Sequence, residues 1–200
     1  TNSGWQQHAG AWTSSGLNPN TAYAFRGRTR NGVSRETTPA TATKYTAANV
    51  PGAPAVSGPG IHTLNVAVVD TAGNPSATEY AVQVDPPVGT NAWVQADGGV
   101  GAAAAYRTAA AWGIVVVTGL EADTPYEVRA IARNGDGETT AAGPAGEGRT
   151  LVDPYQPEDV NRDHAVNALD IQLTVNAVLG ADVGDVDADV NNDGAVNALD

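Results

Sequence analysis

The sequence predicts a mainly β chain, built of tandem two-layer sandwiches followed by a small module of loops and one short helix. Three observations carry that reading. Apolar residues alternate with period two along 63–69, 79–84 and 126–133, as they do in strands with one buried face. A block near the N-terminus recurs without a gap at an offset of 103 residues, the size of one sandwich domain. An oxygen-rich stretch of twelve residues occurs twice near the C-terminus.

The long repeat is legible residue by residue. Ser15-Gly16-Leu17-Asn18-Pro19-Asn20-Thr21-Ala22-Tyr23 aligns with Thr118-Gly119-Leu120-Glu121-Ala122-Asp123-Thr124-Pro125-Tyr126. Each Tyr opens an alternating run that closes on Arg-Asn-Gly, at Arg30-Asn31-Gly32 and Arg133-Asn134-Gly135. Asn-Gly after such a run signals a hairpin, because both residues accept positive φ. The neighbouring Arg30 and Arg133 read as solvated. Pro51 and Pro54 open the complete copy, where proline protects an edge strand from pairing. Strands at 63–69, 79–84, 114–117 and 126–133 and a Gly-rich return near Arg149 supply enough elements for a seven-stranded sandwich. Trp93 or Trp112 is expected to fill the centre of its core.

Gly-Leu-x-x-x-Thr-x-Tyr ahead of a strand resembles the tyrosine corner of fibronectin type III domains, in which the ring packs inside while its hydroxyl ties back to the preceding turn. That resemblance implies tandem fibronectin type III, or immunoglobulin-like, β-sandwiches. Residues 1–46 are expected to be the C-terminal half of one such domain and 47–152 a complete one. The first strands of the half domain are expected upstream, in a longer parent protein; the chain contains no Met.

In the twelve-residue stretch, side-chain oxygens fall at positions 1, 3, 5, 9 and 12. These are Asp159, Asn161, Asp163, Asn167 and Asp170 in the first copy, and Asp189, Asn191, Asp193, Asn197 and Asp200 in the second. Position 7 adds a backbone carbonyl, from Ala165 or Ala195. This is the ligand spacing of an EF-hand-type loop, which wraps six to eight oxygens around the hard cation Ca2+. The two copies differ only at positions 4 and 6. His164 replaces the usual Gly at position 6, where positive φ is needed, so the first loop is expected to bind more weakly than its ligands suggest. After the first loop, 171–180 reads as a short helix, with Leu169, Leu173 and Ala177 on one face and Gly180 as its C-terminal cap. The prolines of the linker 153–157 prevent an entering helix.

Loop, exiting helix, linker and second loop together resemble a dockerin domain of type I over 158–200. The sequence given ends at Asp200, so the second helix is expected to be missing. The resemblance implies Ca2+ as cofactor and a cohesin-like domain as protein partner, in a secreted or surface-attached bacterial protein. The usual hydroxyl or charged partner-reading residues at positions 10 and 11 are here Ala168-Leu169 and Ala198-Leu199. The docking face is therefore expected to be apolar, and self-association through it is a further expectation.

Charge is consistent with this division. Residues 153–200 hold eleven Asp and Glu against one Arg, whereas 1–152 hold eleven against nine basic residues. The acidity is a local ligand supply, and it argues against nucleic acid or an anionic membrane as partner. No apolar run reaches the length of a membrane span. Without Cys there is no disulfide scaffold, thiolate zinc site or Cys nucleophile. No Gly-x-Ser-x-Gly elbow, paired His motif or phosphate loop is present. Glu79, Asp97, Glu121 and Glu127 are scattered rather than paired across a cleft. The chain is therefore read as non-catalytic, any catalytic domain lying upstream. Two alternatives stand beside it: the accessory tail of a polysaccharide-degrading glycoside hydrolase, or a carbohydrate-binding or adhesin sandwich that stacks sugars on those of Trp5, Trp12, Trp93 and Trp112 that are exposed, Trp112 being expected in the core.

Overall fold

In the computed structural model, residues 3–7, 10–153, 157–162, 166–184, 186 and 188–198 are described. The chain divides into two units, Thr1–Leu151 and Val152–Asp200.

The first unit begins with an antiparallel pair, β1 (Ala22–Gly27) and β2 (Ala40–Tyr45). A two-layer sandwich follows. One layer runs β3 (Ala55–Ser57), β4 (Thr63–Ala67), β9 (Ile114–Thr118), in that spatial order. The other is ordered β11-β10-β5-β6-β7, from β5 (Glu79–Val88), β6 (Asn91–Val94), β7 (Val100–Gly101), β10 (Pro125–Arg133) and β11 (Gly146–Arg149). The short β8 (Arg107–Thr108) also pairs with β5 and leads into one helical turn, α1 (Ala109–Trp112).

Alternation explains the layers. Leu64 and Val66 of β4 and Val115 and Val117 of β9 point inward, against Tyr80, Val82 and Val84 of β5 and Tyr126 and Val128 of β10. Their neighbours along each strand lie on the opposite face, as the pleat requires, and Ala81 of β5 is buried there as well. Trp112 fills the core, and its Nε1–H donates to the Tyr80 carbonyl at 2.8 Å. It sits at the end of α1, not at the start of a strand. Trp93 lies half-buried on β6, opposite Gln83 and Gly101. Val68 packs against the core from a partly buried position. The glycines of the return strand are set by crowding: a Cβ on Gly146 would lie 2.1 Å from the Pro54 carbonyl oxygen.

The repeat holds bond by bond. The Tyr23 hydroxyl accepts the Asn18 N–H at 3.0 Å, and the Tyr126 hydroxyl accepts the Glu121 N–H at 2.9 Å. Gly16 and Gly119 take φ of 70° and 74° in the two corners. The Asn-Gly turns depart from the expected two-residue form. Asn31 and Asn134 are not left-handed; Ser34 and Gly137 are, with φ of 62° and 87°. Asn31 Oδ1 accepts from Val33 and Arg35, and Asn134 Oδ1 accepts from Asp136 and Glu138. This side-chain bonding stabilises a longer loop, and the left-handed residue moves to its end. The flanking arginines are engaged as well. Arg133 pairs with Glu79 at 2.5 Å and stacks 4.0 Å from the Tyr106 ring centre, and Arg30 lies 4.4 Å from that of Trp5.

In the second unit the described regular element is α2 (Ala168–Val178). It starts three residues earlier than the sequence suggests because Asn167 caps it. Leu179 is its C-cap residue, and Gly180 follows with φ of 78°.

Candidate metal centre

The first loop is built around its last ligand position. Asp170 is 1 % exposed; its Oδ1 accepts the Asn161 N–H at 3.2 Å and its Oδ2 the Asn167 N–H at 2.8 Å. These bonds draw positions 3, 9 and 12 of the loop together. Asn167 Oδ1 in turn accepts the Leu169 N–H at 2.8 Å, completing a capping box with Asp170. The Asn167 N–H does most to hold the Asp170 carboxyl below the usual carboxylate range, against burial, which raises it. Asp159, at position 1, is 3 % exposed, and Val160 beside it is 2 % exposed. Asp163, His164 and Ala165 lie outside the described residues.

The second loop folds around its first position. Asp189 Oδ1 accepts the Asp193 N–H at 3.0 Å and Oδ2 the Gly194 N–H at 2.8 Å. The Asn191 Oδ1 also accepts from Asp193 N–H, and Asp193 Oδ1 from Ala195 N–H, both at 3.0 Å. Asn197 Nδ2 donates to the Ala195 carbonyl at 3.0 Å. Asp189 and Asn197 are half-buried, and Asn191 and Asp193 are exposed. Asp200 lies outside the described residues.

The two loops share a feature that the ligand count does not predict. Position 4 is left-handed in both, with φ of 59° at Arg162 and 54° at Asn192. In both, its N–H donates to the carbonyl of position 1, at 3.2 and 3.3 Å. Gly194, at position 6, has φ of 86°, as the spacing requires. Asn192 was a readable signal, since Asn tolerates this region; Arg162 gave none.

The donor set is all oxygen, the chemistry of a hard cation. It fits Ca2+ in kind, with two buried carboxylates in the first loop whose charge a cation would offset. Among the described residues, no group of three or more His, Cys, Asp and Glu is gathered as a metal cluster. The order of donors and the turn at position 4 therefore carry the fit, rather than an assembled polyhedron.

Compared with known families, the C-terminal segment gives one clear result. Residues 157–200 match the dockerin type I domain. The dockerin segment thus contains both loops and α2. A comparison with curated proteins finds no match. Among solved structures, the first unit is similar to a fibronectin type-III domain of human fibronectin type III domain containing protein 3. That pair is 19 % identical, covers 54 % of this chain and 93 % of the other, and has a TM-score of 0.36. Chicken CNTN1 FN1-FN3 domains are 14 % identical over 70 % of this chain and 46 % of theirs, with a TM-score of 0.39. Rat CD45 domains d3-d4 are 16 % identical over 75 % and 74 %, with a TM-score of 0.35.

The helix of the dockerin segment exposes an apolar stripe that the sequence reading placed on another face. Ile171, Val175 and Leu179, at i, i+4 and i+8, are 66 %, 46 % and 78 % exposed. Leu173 and Ala177 are half-buried, and Leu169 is exposed. Beside the stripe, Val175, Val178 and Leu179 line a groove of about 290 Å³ with Asn197 and Ala198 of the second loop.

The other candidates have local roles. His62 Nδ1 lies 2.8 Å from the Leu120 carbonyl oxygen. Glu79 pairs with Arg133, Glu127 with Arg129, and Asp97 accepts the Gly99 N–H. Trp12 is 45 % exposed and Trp5 43 %. Among the described residues, no helix is long and apolar enough to cross a membrane.

Proposed function

We propose that this chain is a non-catalytic extracellular region whose segment 158–200 docks a cohesin-like domain in a calcium-dependent manner. Fibronectin-type sandwiches, a C-terminal half at 1–46 and a complete one at 47–152, act as spacers, with 153–157 as linker. The dockerin match over 157–200 carries this reading, supported by two loops that turn alike at position 4.

Asp159, Asn161, Asp163, Asn167 and Asp170 would hold one ion with the Ala165 carbonyl; Asp189, Asn191, Asp193, Asn197 and Asp200 would hold another with that of Ala195. Bound Ca2+ supplies positive charge that offsets carboxylates otherwise left to repel one another. Asp170 links the site to the helix, since the same carboxylate closes the loop and caps α2. Ordering the loop therefore orders the helix start, and the stripe of Ile171, Val175 and Leu179 becomes a fixed apolar surface for the partner.

Calorimetric titration of Ca2+ into the chelator-stripped chain, with far-ultraviolet circular dichroism alongside, tests the metal sites. Two sites with a gain of helix are expected; no binding at millimolar Ca2+ would sink the reading. Docking is tested by capture on a panel of immobilised cohesin domains. Retention should disappear with chelator, and with Ile171→Asp while Ca2+ binding is kept. Retention that survives the chelator would refute calcium-dependent docking.

A further inference from the structure

The end of the first hairpin meets the complete sandwich through a specific set of bonds. Asn20 Oδ1 accepts the Gly135 N–H at 2.9 Å, while its Nδ2 donates to Thr78 Oγ1 at 2.8 Å. Asp136 Oδ2 accepts the Tyr45 N–H at 2.9 Å, with Lys44 Nζ 3.5 Å away. Asn134 Nδ2 donates to the Thr46 carbonyl at 3.2 Å. The bonds converge on the turn that ends β10, and Asn20 is 8 % exposed beneath it. The link between the two bodies is tied down too: the Asn74 side chain accepts the Asn49 N–H at 2.8 Å and donates to the Asn49 carbonyl at 3.0 Å.

The internal repeat supplies a control. Gly135 and Gly32 occupy the same place in their two turns. A Cβ on Gly135 would lie 2.4 Å from ring carbons of Tyr45; a Cβ on Gly32 would meet nothing within 4 Å. Glycine at 135 therefore leaves room for the Tyr45 ring, which a Cβ there would have to displace. The equivalents of Asn20 and Tyr45 in the second copy are Asp123 and Arg149, which bond to each other at 3.0 Å. That end of the second sandwich is closed by its own ion pair, so the chemistry that grips an Asn-Gly turn occurs at the first copy and not at the second.

We propose that turn 134–137 is a docking site for the end of a preceding β-sandwich bearing Asn and Tyr at the places of Asn20 and Tyr45. Gly135 is the residue that admits the ring. The hairpin and the complete sandwich then move as one body, a spacer of fixed geometry rather than two beads on a string. An isolated two-stranded hairpin is marginal in water, so the same contacts keep β1 and β2 folded. The tyrosine ring and the Asn20 amide that donates to Thr78 make the interface directional, because a partner with Asp and Arg at those places offers neither.

Nitrogen-15 relaxation on the whole chain tests this. The wild type is expected to show one rotational correlation time for β1, β2 and the sandwich. Gly135→Ala should give the hairpin its own shorter correlation time and speed exchange of the Tyr45 amide at least tenfold. Gly32→Ala should change neither. If Gly135→Ala fails to fold, Asn20→Gly removes the bond to Gly135 without adding atoms and tolerates the φ of 39° at that position; it should uncouple the hairpin in the same way. Two correlation times in the wild type, or coupled tumbling retained in both Gly135→Ala and Asn20→Gly, would overturn the proposal.

Discussion

Two tyrosines of the sandwich make opposite predictions. Tyr126 is buried with its hydroxyl accepting the Glu121 N–H at 2.9 Å. Tyr126→Phe leaves that N–H unpaired and should cost about 1 kcal/mol in urea unfolding. The Tyr80 hydroxyl is buried, and among the described residues it has no hydrogen-bond partner, although Asp70, Asn74 and Thr78 lie around it. Tyr80→Phe removes that orphan and should be neutral or stabilising by about 1 kcal/mol. Burial first, and then the nearby Asp70, push the Tyr80 pKa up from 10.0 to about 12. The folded state thus keeps the phenol proton longer than the unfolded chain does. Its contribution is fully present below pH 10 and is lost as pH rises towards 12. Alkaline unfolding between pH 10 and 12 should therefore be shallower in Tyr80→Phe than in the wild type.

Among the elements, α2 depends on its cap more than on its face. Asn167 closes the first turn through Leu169, and Asp170 closes it from the other side. In the presence of chelator, Asn167→Ala should cost the helix about 0.5–2 kcal/mol and lower the far-ultraviolet helix signal, whereas Gln172→Ala, at an exposed position with good helix propensity, should not. Equal loss in both variants would mean that the cap is not what starts this helix. The helix was legible in the sequence because apolar spacing and a following glycine mark one. Its start was not, because Asn167 reads first as a metal ligand and its capping role appears only when the backbone N–H groups are placed. The sandwich was legible from alternation and from the repeated Tyr corner, since a period of two buries every second side chain. The turn geometry was missed because an Asn side chain that accepts two backbone N–H groups mimics a turn of its own, and Asn-Gly alone does not distinguish the two. Of the candidate metal site, the order of the oxygen donors is a property of the sequence, while the bonds of Asp170 and Asp189 that fold the two loops appear only with the backbone placed. The left-handed backbone at position 4 was readable only where Asn stands, and the exposed stripe 171, 175, 179 was hidden by equally apolar residues on the neighbouring face.

For the whole molecule, charge and core are segregated, and stability should segregate with them. The buried apolar cluster belongs to the first unit, while the oxygen donors of both loops belong to the second. A ligand that binds only the folded form of one unit stabilises that unit by mass action, by about 2.7 kcal/mol at a concentration 100 times its Kd. Scanning calorimetry at several Ca2+ concentrations should resolve two transitions. The one carrying the dockerin segment should rise with Ca2+, while the sandwich transition stays where it is in chelator. Val128→Ala, in the centre of the sandwich core, should lower the second transition and leave the Ca2+ dependence of the first unchanged, because the two sets of contacts share no residue. A single transition moving as a whole with Ca2+ would show instead that the two units unfold cooperatively, and would require the spacer and the docking segment to be treated as one folding unit.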